Sequence, residues 1–276
     1  MRLRIQHKTV HRYSEPVRGM IRKLRLTPRN CNSQTVVDWR IETDRDCRLT
    51  SSEDAFGNIV HCFAVDGPFD SLTTLVEGVV ETFPTAGVVQ GAIERFPAEL
   101  WLRDTDLTRA DASLRAFAQA ITARQTTTLS RLHELLAALH AVVGFDSQAN
   151  DETTTAAEAF AAKSGGRRDF AHMFVACARA IGAPARCVSG YCVDEEIADA
   201  PAFAHFWAEC LVENLGWVGF DAARGLTPGE SCVRVAVALD CLGAAPIRGA
   251  RTGGGGEEQD ETVRIAQGQA QSQAQA

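Results

Sequence analysis

Apolar and polar positions alternate through the first third of the chain. Leu3 and Ile5, Leu24 and Leu26, Trp39 and Ile41, Ile59 to Val65 and Leu75 to Val80 each place every second side chain on one face, the period of a half-buried strand. Turn residues separate them, in TPRNCNS at 27–33, DAFGN at 54–58 and DGP at 66–68. The pattern predicts five or more strands in a β-rich N-terminal domain over residues 1–95.

After Pro97 the period lengthens to that of a helix. Leu114, Phe117, Ala118 and Ile121 share one helical face, and Leu132, Leu135, Leu136, Leu139 and Val143 share another. His133 and His140 lie on one side of that second helix and read as surface histidines, since no third metal ligand stands near them in sequence. Thr155-Ala-Ala-Glu158 is a capping box for a short helix ending near Ser164-Gly165. A further helix is expected from Asp169 to Ile181, with Phe170, Phe174, Cys177, Ala178 and Ile181 as its apolar stripe, Gly182 as cap and Pro184 as a stop. Strands then follow at 185–192, 205–212, 216–221 and 232–239, completing a second domain over 96–250. From Arg251 to residue 276 the composition is Gly- and Gln-rich; ETVRI at 261–265 can add a last strand, and the tail beyond it is expected to be disordered.

Composition narrows the partners. A net charge of −7 and a pI near 5.5 argue against nucleic acid. The nine cysteines form no C-x-x-C pair, which speaks against a zinc knuckle or a disulfide framework and for a reducing cytosol. No apolar run approaches the roughly 20 residues of a membrane span, and MRLRIQHKTV lacks the apolar core of a signal peptide, so a cytoplasmic protein with no membrane partner is expected. Nothing in the pattern calls for a cofactor or a metal.

Several short motifs occur in a recognisable order: HRYSEPV at 11–17, LRLTPR at 24–29, DAFGN, VET at 80–82, TAAEAF at 155–160, DFAH at 169–172, GAPARCVSGY at 182–191, AHFWAE at 204–209, LGWVGFD at 215–221 and VRVAVALDCLGAAPIRG at 233–249. With them the chain resembles bacterial transglutaminase-like proteins, a branch of the papain-like thiol superfamily. The resemblance implies an α+β fold, with a β-rich N-terminal domain before a core of helices packed on an antiparallel sheet. It also implies a thiol at the start of the core helix, a histidine on the following sheet to carry its proton, and an aspartate to orient the imidazole.

His205 and Asp221 match the last two positions. Period-two alternation sends His205, Trp207 and Glu209 to one side of their strand. The family's G-x-C-Q-D-F-A-H, aligned on Asp169-Phe170-Ala171-His172, puts Arg167 on the nucleophile position and Arg168 after it. A guanidinium stays protonated and is neither nucleophile nor base. The Ala222 of FDAARG replaces the family's proline.

Substitute nucleophiles are few. Cys177 lies on the same helix about 15 Å further along its axis and belongs to the apolar stripe. Cys187, Cys192 and Ser164 remain candidates. His172 with His205 and Asp221 could suggest a metal site, but His172 matches a position that accompanies ordinary thiol chemistry, so a structural role is expected. The arginines oppose the helix macrodipole and call for partners, either Asp169 and Glu209 within the chain or an acidic ligand.

The expected function is a pseudoenzyme that binds a peptide or protein through Arg167, Arg168, Trp207 and Tyr191, or serves as an assembly component. The alternatives are an active peptidase, amidase or acyl transferase working through a substitute nucleophile with His205 and Asp221, and a relic whose retained pair only packs well. By family analogy the partners implied are of ATP-grasp, α-E, transglutaminase-like or proteasome-related type.

Overall fold

A computed structural model describes residues 1–149, 151–193 and 204–268. Its first four strands are β1 (Arg2–Thr27), β2 (Gln34–Thr43), β3 (Thr50–Glu53) and β4 (Ile59–Thr82). The expected N-terminal strands are therefore fewer and longer, because β1 and β4 run unbroken for 26 and 24 residues. DGP at 66–68 is not a turn but lies inside β4. The two strands shift register between Arg12 and Val17 and again before Gly19, and both Pro16 and Pro68 fall at that irregularity, where a residue without an N–H interrupts no regular ladder. A Cβ at Gly67 would stand 2.0 Å from the Val17 carbonyl oxygen, so only glycine admits the crossing strand there.

The chain continues through β5 (Val88–Val89), a 3₁₀ turn at Ala98–Leu102, α1 (Ala112–Thr122), α2 (Thr128–Val142), β6 (Gly144–Phe145), α3 (Ala156–Ala162), β7 (Ser164–Gly165) and α4 (Arg167–Ala180). The capping box forms as expected: Thr155 N–H donates to Glu158 Oε2 at 2.9 Å, and Glu158 N–H to Thr155 Oγ1 at 3.2 Å. β8 (Ala185–Cys192), β9 (Ala204–Val212), β10 (Gly216–Phe220) and β11 (Cys232–Ala238) follow. They form an antiparallel sheet in the order β11-β8-β9-β10-β5.

α4 is the pivot of this half. Every residue from Asp169 to Arg179 is buried, because α4 packs on β8 and β9 with one side and on α1, α2 and α3 with the others. Five apolar positions predicted one covered face; the small Ala171 and Ala176 let neighbours close over the rest. Phe174 stacks on Phe220 of β10 at 5.1 Å between ring centroids.

The end of the chain departs from expectation. Arg251–Gly253 closes a strand, β12 (Ile247–Gly253), the following glycines turn, and β13 (Glu257–Gln267) runs well beyond ETVRI. Both pair antiparallel with β1, giving a six-stranded sheet of β12-β1-β4-β2 with β13 on β1 and β3 on β4. The disordered tail expected beyond lies, from residue 269, outside the described residues. Leu3, Ile5, Leu24 and Val80 of this sheet pack with Tyr191, Val233 and Val235 of the other, so the two sheets share one apolar seam.

The cysteines also depart from the reduced set expected. Cys192 and Cys232 face each other in the register of β8 and β11 and are joined as a disulfide. Among the described residues no helix is long and apolar enough to cross a membrane.

Candidate functional site

β9 carries the matching histidine at its second position. His205 pairs in register with Gly190 of β8, and Asp221 follows β10, held by reciprocal backbone bonds with Leu226 of 2.9 and 3.2 Å. His205 Nε2 and Asp221 Oδ2 stand 2.5 Å apart, both side chains buried. The Arg224 backbone N–H donates to the other carboxylate oxygen at 3.2 Å. With Nε2 engaged by the carboxylate, Nδ1 is the ring nitrogen that the carboxylate does not hold.

The expected alternation along HFWAE is present. Phe206, Ala208 and Cys210 join the core under α4, whereas Trp207 joins a separate cluster with Val188 and Trp217. Trp207 stacks on His205 at 6.1 Å between centroids and an interplanar angle of 29°. It fits because residue 190 has no side chain: a Cβ there would stand 2.5 Å from Trp207 Cη2 and 2.2 Å from the Val233 carbonyl oxygen. Gly190→Ala should therefore destabilise the fold by about 1–3 kcal/mol through overpacking, read as a lower urea midpoint. An unchanged midpoint would mean that Trp207 moves freely.

Glu209, the third residue on this side, is fully buried between two arginines. Arg186 Nε donates to Oε2 and Arg234 Nε to Oε1, each at 2.7 Å, and Arg186 Nη1 also reaches Glu94 at 2.9 Å. The Arg186 guanidinium lies 3.7 Å from the centre of the Trp217 ring. Burial works against the Glu209 carboxylate, yet Arg234 and Arg186 outweigh it and hold its pKa below the ordinary value. Glu209 is thus committed to Arg186 and Arg234 and is not the partner of Arg167 or Arg168 that the sequence suggested.

At the start of α4 the glycine pair is sterically required. A Cβ at Gly165 would come within 2.7 Å of Asp169 Cβ, and one at Gly166 within 2.6 Å of the Ala149 carbonyl oxygen. Asp169 turns back to accept the Gly166 N–H at 2.8 Å, capping the helix; burial raises its pKa. Asp169 caps the helix start and interacts electrostatically with Arg168, whose hydrogen bond goes to Glu152.

Arg167 is the first residue of α4, its guanidinium 5.2 Å from the ring centre of the largely exposed Phe145. Arg168 donates to Glu152 at 3.2 Å and lies 5.2 Å from the ring centre of Phe206, the residue after His205. Glu152 and Asp169 supply the negative charge that two cations at a helix N-terminus require.

The other sequence candidates scatter. Cys177 is deep in the core, where burial pushes its thiol up to about 12. Cys192 is spent in the disulfide. Ser164 is exposed on β7, beside β6. Tyr191 is buried against the N-terminal sheet, its hydroxyl 3.0 Å from His7 Nδ1. His172 accepts the Cys241 N–H at 2.9 Å, and burial drives its pKa down to about 4, so it is neutral near pH 7. Arg186 and Arg234 lie within the GAPARCVSGY and VRVAVALDCLGAAPIRG stretches, but only the pairing of β8, β9 and β11 discloses that they meet at Glu209.

A sequence profile of the bacterial transglutaminase-like N-terminal region matches residues 3–81, and one of the transglutaminase-like superfamily matches residues 115–222. An uncharacterized protein of Mycobacterium leprae is 26% identical over 285 residues, spanning 96% of this chain and 98% of that protein. Another, from Mycobacterium tuberculosis, is 26% identical over 272 residues, spanning 90% and 87%. The crystal structure of a candidate cysteine protease from Cytophaga hutchinsonii superposes with a TM-score of 0.78 at 18% identity, covering 96% of this chain and 90% of that one. At that identity the likeness shows a common fold.

Proposed function

The chain belongs to the transglutaminase-like superfamily, with the bacterial transglutaminase-like N-terminal region before the core, and from that premise we propose that it is a pseudoenzyme that binds peptide or protein instead of cleaving it. One observation carries this reading. The buried His205–Asp221 pair is formed as a thiol enzyme would need it, while α4 begins on Arg167, the residue that the family motif aligns with the nucleophile. A cation that stays protonated cannot attack a carbonyl or take a proton from a thiol.

Arg167 and Arg168, with Phe145 and Phe206 beside them, favour an acidic ligand, since guanidinium pairs with carboxylates in a forked geometry and stacks on aromatic rings. Partners of ATP-grasp, α-E, transglutaminase-like or proteasome-related type are the ones the family suggests for an assembly role.

The test is calorimetry with acidic peptides and neutral peptides of matched length. The wild type should prefer the acidic set, and Arg167→Ala should weaken that binding about tenfold or more, the scale of one charged hydrogen bond. Equal affinity in the two proteins rejects the clamp. Peptide hydrolysis by the wild type that persists in Arg167→Ala and disappears in His205→Ala rejects the pseudoenzyme and favours a substitute nucleophile.

A further inference from the structure

Behind the first turn of α4 three soft or borderline donors meet from separate elements: His172 on α4, Cys187 on β8, and Cys241 just after β11. One donor atom of each lies within 4.8 Å of the other two. None of the three is exposed to solvent. Cys192 and Cys232 are bonded across the same pair of strands, yet Cys187 and Cys241 remain thiols.

From this geometry we propose that His172, Cys187 and Cys241 bind one divalent ion of zinc's size and softness. Thiolate and imidazole are the donors such an ion selects, at about 2.3 Å for sulfur and 2.0 Å for nitrogen. Donors around it then stand roughly 3.5–3.8 Å apart, so the cluster, within 4.8 Å, has to contract by about 1.3 Å at most. Two thiolates and a divalent cation sum to zero charge, which suits a position closed to water. Uptake is a plain exchange: the ion enters, two sulfur–metal bonds form, and both thiol protons leave to solvent.

The imidazole is already oriented. Cys241 N–H donates to His172 Nε2 at 2.9 Å, aiming that lone pair at the residue whose sulfur would share the ion. His172 Nδ1 is buried without a hydrogen bond of ordinary geometry, and the Thr154 backbone interacts with the same ring. Binding exchanges one amide contact for a metal bond and leaves Nδ1–H to be held by that backbone, the usual outer support of a ligating histidine. The Arg168 carbonyl, which accepts from Cys241 Sγ at 3.7 Å, offers a fourth donor. The ion would tie the opening turn of α4, and with it Arg167 and Arg168, to the core sheet. This site is independent of the proposed function and runs against the expectation of a metal-free chain.

The test is anaerobic titration of the full chain, its Cys192–Cys232 bond intact, with cobalt(II) as probe and zinc as competitor. The wild type should take up one ion with a sulfur-to-cobalt charge-transfer band, release two protons, and lose the band to zinc. Cys187→Ser and Cys241→Ser should each weaken binding by more than about tenfold, and Cys177→Ser, on the same helix but outside the cluster, should titrate as the wild type. No charge-transfer band in the wild type, or an unchanged titration in Cys241→Ser, overturns the site. Should the serine variants fail to fold, the wild type alone decides: in mild urea zinc should shield Cys187 and Cys241 from alkylation, and equal labelling with and without zinc overturns the proposal.

Discussion

Replacing Glu209 with alanine should remove about 3–5 kcal/mol of unfolding free energy, the cost of leaving buried cations without their anion. Arg186 and Arg234 both aim their Nε at this one carboxylate. Arg186 would keep Glu94, whereas Arg234 would lose the carboxylate that both its Nε and its Nη2 reach. Urea denaturation of the two proteins measures the difference, and a loss under about 1 kcal/mol would mean that water enters and solvates the arginines.

The same triad gives a pH signature. Because the folded pKa of Glu209 is depressed, its contribution is complete above the ordinary carboxylate range and disappears as pH falls through the lowered folded value. The difference between wild type and Glu209→Ala should therefore be full at pH 7 and shrink as pH falls through the ordinary carboxylate range towards the lowered folded value. A difference that already shrinks at pH 6 would assign it to another group.

Restoring sulfur at the head of α4 should give the second large effect. Arg167→Cys should be labelled at the new position by a thiol-directed peptide electrophile at pH 7, far faster than an unperturbed thiol. A free cysteine is only a few per cent thiolate at that pH, and a helix N-terminus beside an imidazole lowers the pKa enough to raise that fraction about tenfold to thirtyfold. His205→Ala in the same background should cancel most of the gain, because the proton then has no acceptor. Labelling at the rate of a model thiol and indifferent to His205 would mean that residue 167 does not face the imidazole. The alignment on DFAH would then have the wrong register.

What could be read in advance follows from the range of the physics involved. The capping box at Thr155–Glu158, the period of α2 and the HFWAE alternation are local, and each appears as its spacing implies. DGP misled because Gly and Pro serve a strand irregularity as well as a turn, and only the crossing of β1 over Gly67 distinguishes the two. β12 and the first half of β13 were hidden by glycine and by EEQDE, whose strand character comes from pairing with β1 rather than from an apolar stripe; ETVRI, in the second half of β13, was expected and is a strand. The Cys192–Cys232 bond, between residues 40 positions apart, depends on the register of β8 against β11. So do the partners of Glu209. The pairing of His205 with Asp221 was visible through a motif, whereas the convergence of Arg186 and Arg234 on Glu209 was visible only through strand pairing.

The return of β12 and β13 to β1 also governs how the protein can be made. β1 begins at Arg2, yet one of its edges stays open until residues 247–267 are synthesised. A nascent chain must carry that long bare edge through most of translation, when edge-to-edge pairing with another copy is cheapest. Cutting the protein near residue 95 would yield a fragment with that edge still uncovered. Aggregation during synthesis, more than weakness of the finished fold, is then the hazard this topology sets.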